Sequence, residues 1–418
     1  MAGGWAEFRR NLPAAGRRRR TAADLEPKGA GGRPPSSLSP DGRRLAYAAC
    51  GIYACDVYVQ PLDRDYAPRG GPRRITQEGT YIMGLAWSRD AESLIYCGPL
   101  PLHQILWRAE IRGERRPERL ELAGFRASHP SVALAGNRLA FSRGLSNYDI
   151  WRYQAGGAQE PLITSSVFDI SPQFSPDGKR IAFSSGRSGE ASEIWVVNAD
   201  GSHPVQLTNR LGRYQGTPQW SPDGHWIAFD SQGQDGNWHI WVVEASGGRP
   251  RRLTSDPSDD AIPSWSRNGQ SIYFRSERTG RREIWRAAFA GGQAEQITQN
   301  GGHTAFESVD GKTLFYTKDD SSPLFAQPLS GGPERQVLDW VESRGLVAVE
   351  DGIYYIGRLE DRQYPLRLFQ FSTGTSRLIA RVEGPLGFGL TVSPDRKSFL
   401  FTRSVASGAD LMLIDNFR

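Results

Sequence analysis

The sequence predicts an all-β chain folded as a single β-propeller of four-stranded antiparallel blades, and three observations carry that expectation. One unit recurs nine times along the 418 residues. Each copy breaks into four short β-prone runs separated by turn signals, and no segment has the length and periodicity of a long helix. The chain is also longer than one layered core usually fills, which makes a repeat architecture the natural solution. Its 47 Gly, 27 Pro and 12 Trp suit many short strands and tight turns.

The clearest copy runs from Ile170 to Thr208, ISPQFSPDGKRIAFSS followed by a spacer and EIWVVNADGSHPVQLT. Counted from the serine of the turn or its replacement, the copies begin at Ser39, Ser88, Ala133, Ser175, Ser221, Ser266, Ser308, Val349 and Ser393, at spacings of 41 to 49 residues. That period is the one expected of four-stranded blades. The first strand ends on a large flat side chain, Trp87, Phe174, Trp220 or Trp265, placed to pack between neighbouring sheets. In the SPDG turn that follows, Pro has the φ required at the second position of a type I turn. The Asp carboxylate can bond nearby amides, and Gly tolerates a left-handed conformation. IAF-type runs such as Ile181 to Phe183 make a buried second strand, and Trp107, Trp151, Trp195, Trp241 and Trp285 recur in the third. DG and GG pairs then mark a hairpin to a fourth strand that closes on Thr76, Thr164, Thr208, Thr254 or Thr298.

One such sheet cannot cover both of its faces, whereas copies arranged around an axis cover each other. The ninth copy supplies three strands, and residues 30–37 are the only candidates for its fourth. Eight blades are preferred to nine, because the first, third and eighth copies are eroded.

The SPDG, IAFxS, EIWV and QLT runs resemble the TolB-type, WD-like propeller repeat, and the resemblance covers nearly all of the chain after its first residues. More narrowly, the stretch from Ile170 to DLMLIDNFR resembles the propellers of bacterial CadC-like regulators. The resemblance implies a module that binds protein partners or a small ligand at a channel mouth, and it suggests the periplasm. Two alternatives follow from the same likeness: the sensory propeller of a membrane-bound winged-helix regulator, or the gating propeller of a prolyl oligopeptidase-type peptidase. No winged helix or hydrolase domain is expected from this sequence, so neither DNA binding nor peptidase activity is carried over.

The net charge of +5 sits in the first 35 residues, where eight basic side chains, including Arg17 to Arg20, meet Glu7, Asp24 and Glu26. The remaining 43 basic and 43 acidic residues balance, so no nucleic acid is expected on the propeller. Residues 1–29 read as a disordered basic tail without apolar periodicity, and residues 30–418 as the propeller. No run has the length of a membrane span or the shape of a secretory signal. Of the three cysteines, Cys50 and Cys55 flank a strand connection and can close a hairpin disulfide in an oxidising compartment, but three free thiols is the preferred reading.

The sequence offers no catalytic constellation, so the chain is expected not to be an enzyme. The nearest approach to G-x-S-x-G, Gly144 to Ser146, has Tyr148 where the last glycine belongs, and Gly311 to Thr313 lacks the upstream glycine of a phosphate loop. The six histidines show no zinc spacing, so no metal and no cofactor are expected. What varies between copies is the loop from each fourth strand to the next first strand. These loops carry Arg210, Arg213 and Tyr214, then Asp256, Asp259 and Asp260, then His303 and Phe306. Mixed charge with aromatics suits a recognition surface, and these eight residues are the candidate binding site of an expected monomer.

Overall fold

The computed structural model describes residues 35–417, apart from 51–54, 78–81, 99–103, 113–115, 125, 145–146, 190, 213, 234–235 and 407. The tail assigned to residues 1–29 and the candidate Arg213 therefore lie outside the described residues. Among the described residues nine sheets form, matching the nine repeats, eight of them four-stranded and one three-stranded. The chain is all-β and propeller-like, as expected. No helix among the described residues is long and apolar enough to cross a membrane.

The turns behave as their chemistry requires. Ser175 Oγ donates to Asp177 Oδ1 at 2.6 Å, the same carboxylate accepts the Lys179 N–H at 3.1 Å, and Gly178 has φ +69°. Ser39 with Asp41, Ser88 with Asp90, Ser221 with Asp223, Ser308 with Asp310 and Ser393 with Asp395 repeat the arrangement. The tetrad is thus a self-satisfied turn, and its aspartates are spent on backbone geometry.

Contacts divide the sheets between two compact units, one comprising Met1–Leu145 with Gly408–Arg418 and the other Ser146–Ser407. In the second unit six sheets close into a ring. Their inner strands are Asp169–Phe174, Tyr214–Trp220, Asp260–Trp265, Ala305–Glu307, Leu346–Val349 and Leu386–Val392. Six apolar clusters fill the six interfaces between consecutive sheets. In one of them Ala182, Ile194 and Val196 pack on Trp220, Ile227 and Phe229 of the next sheet. Phe183 and Phe229 are fully buried, each contributing about 1.5–3 kcal/mol. The recurring third-strand tryptophans lie at the same interfaces, as Trp195, Trp241 and Trp285 do.

The ring closes differently from the sequence expectation. Of residues 30–37 the structure describes 35–37, and these do not complete the ninth repeat, since Ser36–Leu38 opens the first sheet of the other unit. Instead Asn147–Gln154 pairs antiparallel with Ser398–Ala406, setting Ile150, Trp151 and Tyr153 opposite Thr402, Phe401 and Phe399. The physical reason is apolar content: this ladder brings large side chains to both strands, whereas residues 30–37 read AGGRPPSS. Two strands of the third repeat and two of the ninth therefore share a blade, with Gln159–Ile163 as its outer strand and Leu386–Val392 as its inner one.

The first unit holds three sheets. One pairs Arg44–Cys50 with Cys55–Pro61, placing Cys50 opposite Cys55, and the two are joined by a disulfide. This corrects the expectation of three free thiols: at the end of a hairpin, facing positions bring the two side chains together. Cys97 is free and buried, and burial pushes its thiol up to about 12.

Candidate functional site

The inner strands of the six-sheet ring are bent at a repeated place. Ser171, Thr217 and Ile262, each just before a proline, have φ of +56°, +42° and +58°. The ladder register slips at the same points. Such bulges redirect side chains and free backbone groups. Neighbouring strands satisfy them: Ile262 N donates to Asp230 Oδ2 at 2.8 Å, and Ser171 N donates to Thr402 Oγ1 at 3.2 Å.

Around the axis lies a cavity of about 510 Å³ to which all six inner strands contribute. Its lining includes the polar side chains of Thr391, Gln173, Gln219 and Ser264 on successive strands, together with Phe306, Val347 and Phe388. The polar side chains are wired together. Gln173 Nε2 donates to Gln219 Oε1 at 2.6 Å, the Trp220 N–H donates to Gln173 Oε1, and Phe174 N donates to Thr391 Oγ1 at 3.2 Å. The Ser264 hydroxyl is the exception, buried with no hydrogen-bond partner among the described residues. A buried polar atom without a partner is costly to a fold and is well used by a ligand.

Charges stand among the lining residues. Arg344 lies over the Phe388 ring at 4.1 Å and donates from Nε to Asp320 at 2.6 Å. Arg396 is paired with Asp351 at 2.7 Å. Glu307 accepts the Tyr273 hydroxyl at 2.5 Å and the Arg267 N–H at 2.8 Å, and the tyrosine's proton is held more tightly by burial and by that carboxylate. The site is therefore amphipathic, with cations balanced by carboxylates.

Of the seven described residues among the eight singled out from sequence, Arg213 lying outside them, only Phe306 lines this cavity, stacked on Phe315 at 5.6 Å. The others build the ring. Asp260 is fully buried, accepts both contacts of Arg278 at 2.9 Å, and is held protonated to higher pH by that burial. Asp256 accepts Ser258 N at 2.9 Å, which lowers its pKa, and Asp259 accepts Trp238 N at 2.9 Å. Tyr214 packs edge-on to Trp238 at 5.2 Å. Arg210 is exposed, and its backbone N–H donates to Glu193 at 2.7 Å. His303 is buried and accepts from Arg275 at 3.0 Å. Burial, then Arg344 and Arg275, push it down to about 2. A signal for this structural role was present in the repeat: Asp169 with Arg187 and Asp260 with Arg278 are the same ion pair, 18 residues apart in two copies.

His303, Asp319 and Asp320 gather within reach of one ion. The surrounding cations already meet their needs, since Arg275 donates to His303, Arg344 to Asp320 and Arg282 to Asp319. A metal ion there would face three guanidinium groups, so the cluster is poorly suited to one.

Comparison with known proteins agrees with the fold. Residues 190–338 match the family of the tricorn protease N-terminal beta propeller domain. An uncharacterized protein of Agrobacterium fabrum, Atu1656, is 28% identical over 280 residues, which cover 62% of this chain and 76% of that protein. The uncharacterized peptidase YuxL of Bacillus subtilis is 33% identical over 88 residues, 19% of this chain and 13% of its own length. Among solved structures, TolB from Acinetobacter baumannii is 15% identical, with a TM-score of 0.43 over 87% of this chain and 80% of that one. The chain is thus a β-propeller protein whose central repeats are similar to those of the tricorn propeller.

Proposed function

We propose that the chain is a non-catalytic, TolB-like propeller that binds a ligand or a segment of a partner protein in the axial cavity of its six-sheet ring. The observation that carries this reading is the wall itself, which sets hydrogen-bonded polar side chains beside apolar ones and includes the Ser264 hydroxyl, without a hydrogen-bond partner among the described residues. Shape and mixed polarity of this kind position a guest. They do not by themselves cleave it.

Chemistry would need an activated group, which this reading does not assign to the described residues of the cavity wall. No histidine or cysteine is among the described residues lining the cavity. Thr217 donates to Asp230 at 2.5 Å, but that carboxylate also holds the Ile262 N–H and so serves the bulge. Glu307 is engaged by Tyr273 and Arg267. The Cys50–Cys55 disulfide supports an oxidising compartment such as the periplasm.

The experiment is a retention assay with the purified full chain as bait, comparing the unmodified chain with Ser264→Trp, which fills the cavity, and Asp256→Ala, which alters a loop. Binding lost only with Ser264→Trp, at an unchanged melting temperature, is the expected result. Loss with Asp256→Ala alone would return the site to the loops, and covalent labelling of a serine by a fluorophosphonate would overturn the non-catalytic reading.

A further inference from the structure

Each inner strand of the six-sheet ring runs into the repeated turn, and the second residue of that turn stands at one mouth of the axial cavity. In ring order these residues are Pro176, Pro222, Arg267, Val309, Glu350 and Pro394, and all six line it. Proline suits this position of a type I turn, so the side chains that replace it on three consecutive sheets are not demanded by the backbone. Around Arg267 the turn is complete without proline: Ser266 Oγ donates to Asn268 Oδ1 at 2.8 Å, Gln270 N donates to the same oxygen at 3.0 Å, and Gly269 has φ +70°. The Arg267 backbone N–H, which a proline would lack, donates to Glu307 Oε2 at 2.8 Å and ties the residue to the next sheet.

The Arg267 guanidinium passes in front of that sheet to the one beyond. Its Nη2 lies 3.5 Å from the Ala348 carbonyl, a long contact. Ala348 is two residues further in than Glu350, on the inner strand Leu346–Val349, so the cation is held over the cavity. Among the described residues this is the one hydrogen bond the guanidinium makes, and no carboxylate stands within ion-pair distance of it. Burial lowers its pKa, the mark of a cation that has given up hydration. The other charges at this mouth are spent or turned outward. Arg396 is paired with Asp351 at 2.7 Å, both oxygens of Glu307 accept hydrogen bonds, and Glu350 is exposed at the rim.

We propose that Arg267 recognises an anionic group, a carboxylate or a phosphate, on the guest of the axial cavity, whose apolar part lies further in against Phe306 and Val347. The inference rests on the reading that this cavity binds a ligand, and it adds the charge that the ligand carries. A guanidinium offers five donors in a planar fork that matches two oxygens of one anion, and most of the donors of Arg267 are unused. A cationic guest would need a carboxylate with free oxygens facing inward, whereas Glu307 has none and Glu350 stands at the rim. Pro394, three sheets away around the ring, brings no competing charge to the facing side.

The test is calorimetric titration of the full chain with four probes that share one apolar part: phenylbutyrate, phenylbutylphosphonate, phenylbutyramide and phenylbutylamine. At least one of the two anions is expected to bind about tenfold more tightly than the amide or the amine, and the stronger of the two shows which anion the site takes. Arg267→Gln keeps the backbone N–H and should bring the anions down to the level of the amide, with the amide's own affinity and the melting temperature unchanged. Arg267→Lys should restore part of the preference. Ser264→Trp fills the cavity and should abolish binding of every probe. Equal binding of anion and amide, lost with Ser264→Trp, overturns the anion proposal and leaves the cavity reading standing. Anion binding lost with Arg267→Gln but untouched by Ser264→Trp contradicts the cavity reading and not the charge assignment. A preference for the amine that Glu350→Gln removes overturns the proposal, as does a chain that binds none of the four.

Discussion

Gln173 donates its side-chain amide to the side-chain carbonyl of Gln219 at 2.6 Å, and the two stand at matching positions of adjacent inner strands. Gln173 also accepts the backbone N–H of Trp220, so it is bonded at both ends. Gln173→Leu leaves that N–H without its acceptor and is expected to cost about 1–3 kcal/mol in urea denaturation. Gln219→Leu should cost less, because the freed Gln173 amide faces the cavity, where water can replace its partner. Equal costs would show that these side chains are not wired in this order.

His303 makes the stability of the ring pH-dependent. Its pKa falls from the ordinary 6.5 to about 2 in the fold, so the unfolded chain binds the proton more readily. The contribution is complete above pH 6.5 and is lost as pH drops below it, at about 1.4 kcal/mol per pH unit. His303→Gln should lose much less stability than the unmodified chain between pH 7.5 and pH 5. Asp260, whose pKa burial raises, acts in the opposite sense: its contribution is complete at low pH and is lost as pH rises. It is common to both proteins, so their difference isolates the histidine. Parallel pH profiles would contradict the assignment.

Ring closure rests partly on Thr402, which is fully buried, accepts the Ser171 N–H and donates to the Phe388 carbonyl at 2.8 Å. Thr402→Val keeps the shape and removes both bonds. A loss of about 1–3 kcal/mol is expected from the two unsatisfied partners, read by thermal unfolding.

Thiol counting checks the hairpin disulfide. With Cys50 joined to Cys55 and Cys97 buried, the folded chain should not react with a thiol reagent. Denatured without reductant it should show one thiol, and after reduction three. Three thiols before reduction would restore the reading of free cysteines.

The repeat made the sheets legible because each strand and turn depends on residues close together in sequence. Ser175 with Asp177 is a contact two positions apart, and Trp195 faces Phe183 within a single repeat. Ring closure was not legible, since Tyr153 and Phe399 meet from opposite ends of the unit and a period does not say which copies share a blade. The proposed cavity was not legible for a related reason. Variation between copies drew attention to Asp256, Asp259 and Asp260, although the Asp169–Arg187 pair already marked the position of Asp260 as architecture. The cavity wall was hidden because Gln173, Gln219 and Ser264 sit inside the repeated SPQF, TPQW and IPSW runs, where they look like ordinary members of a strand.

Site-specific photocrosslinking tests the binding role most directly. A photoreactive residue placed at Ser264, inside the cavity, is compared in the source cells with one placed at Leu378, exposed on an outer strand. The account predicts a discrete adduct by intact mass from position 264 and none from position 378. An adduct from position 378 with none from position 264 would contradict it.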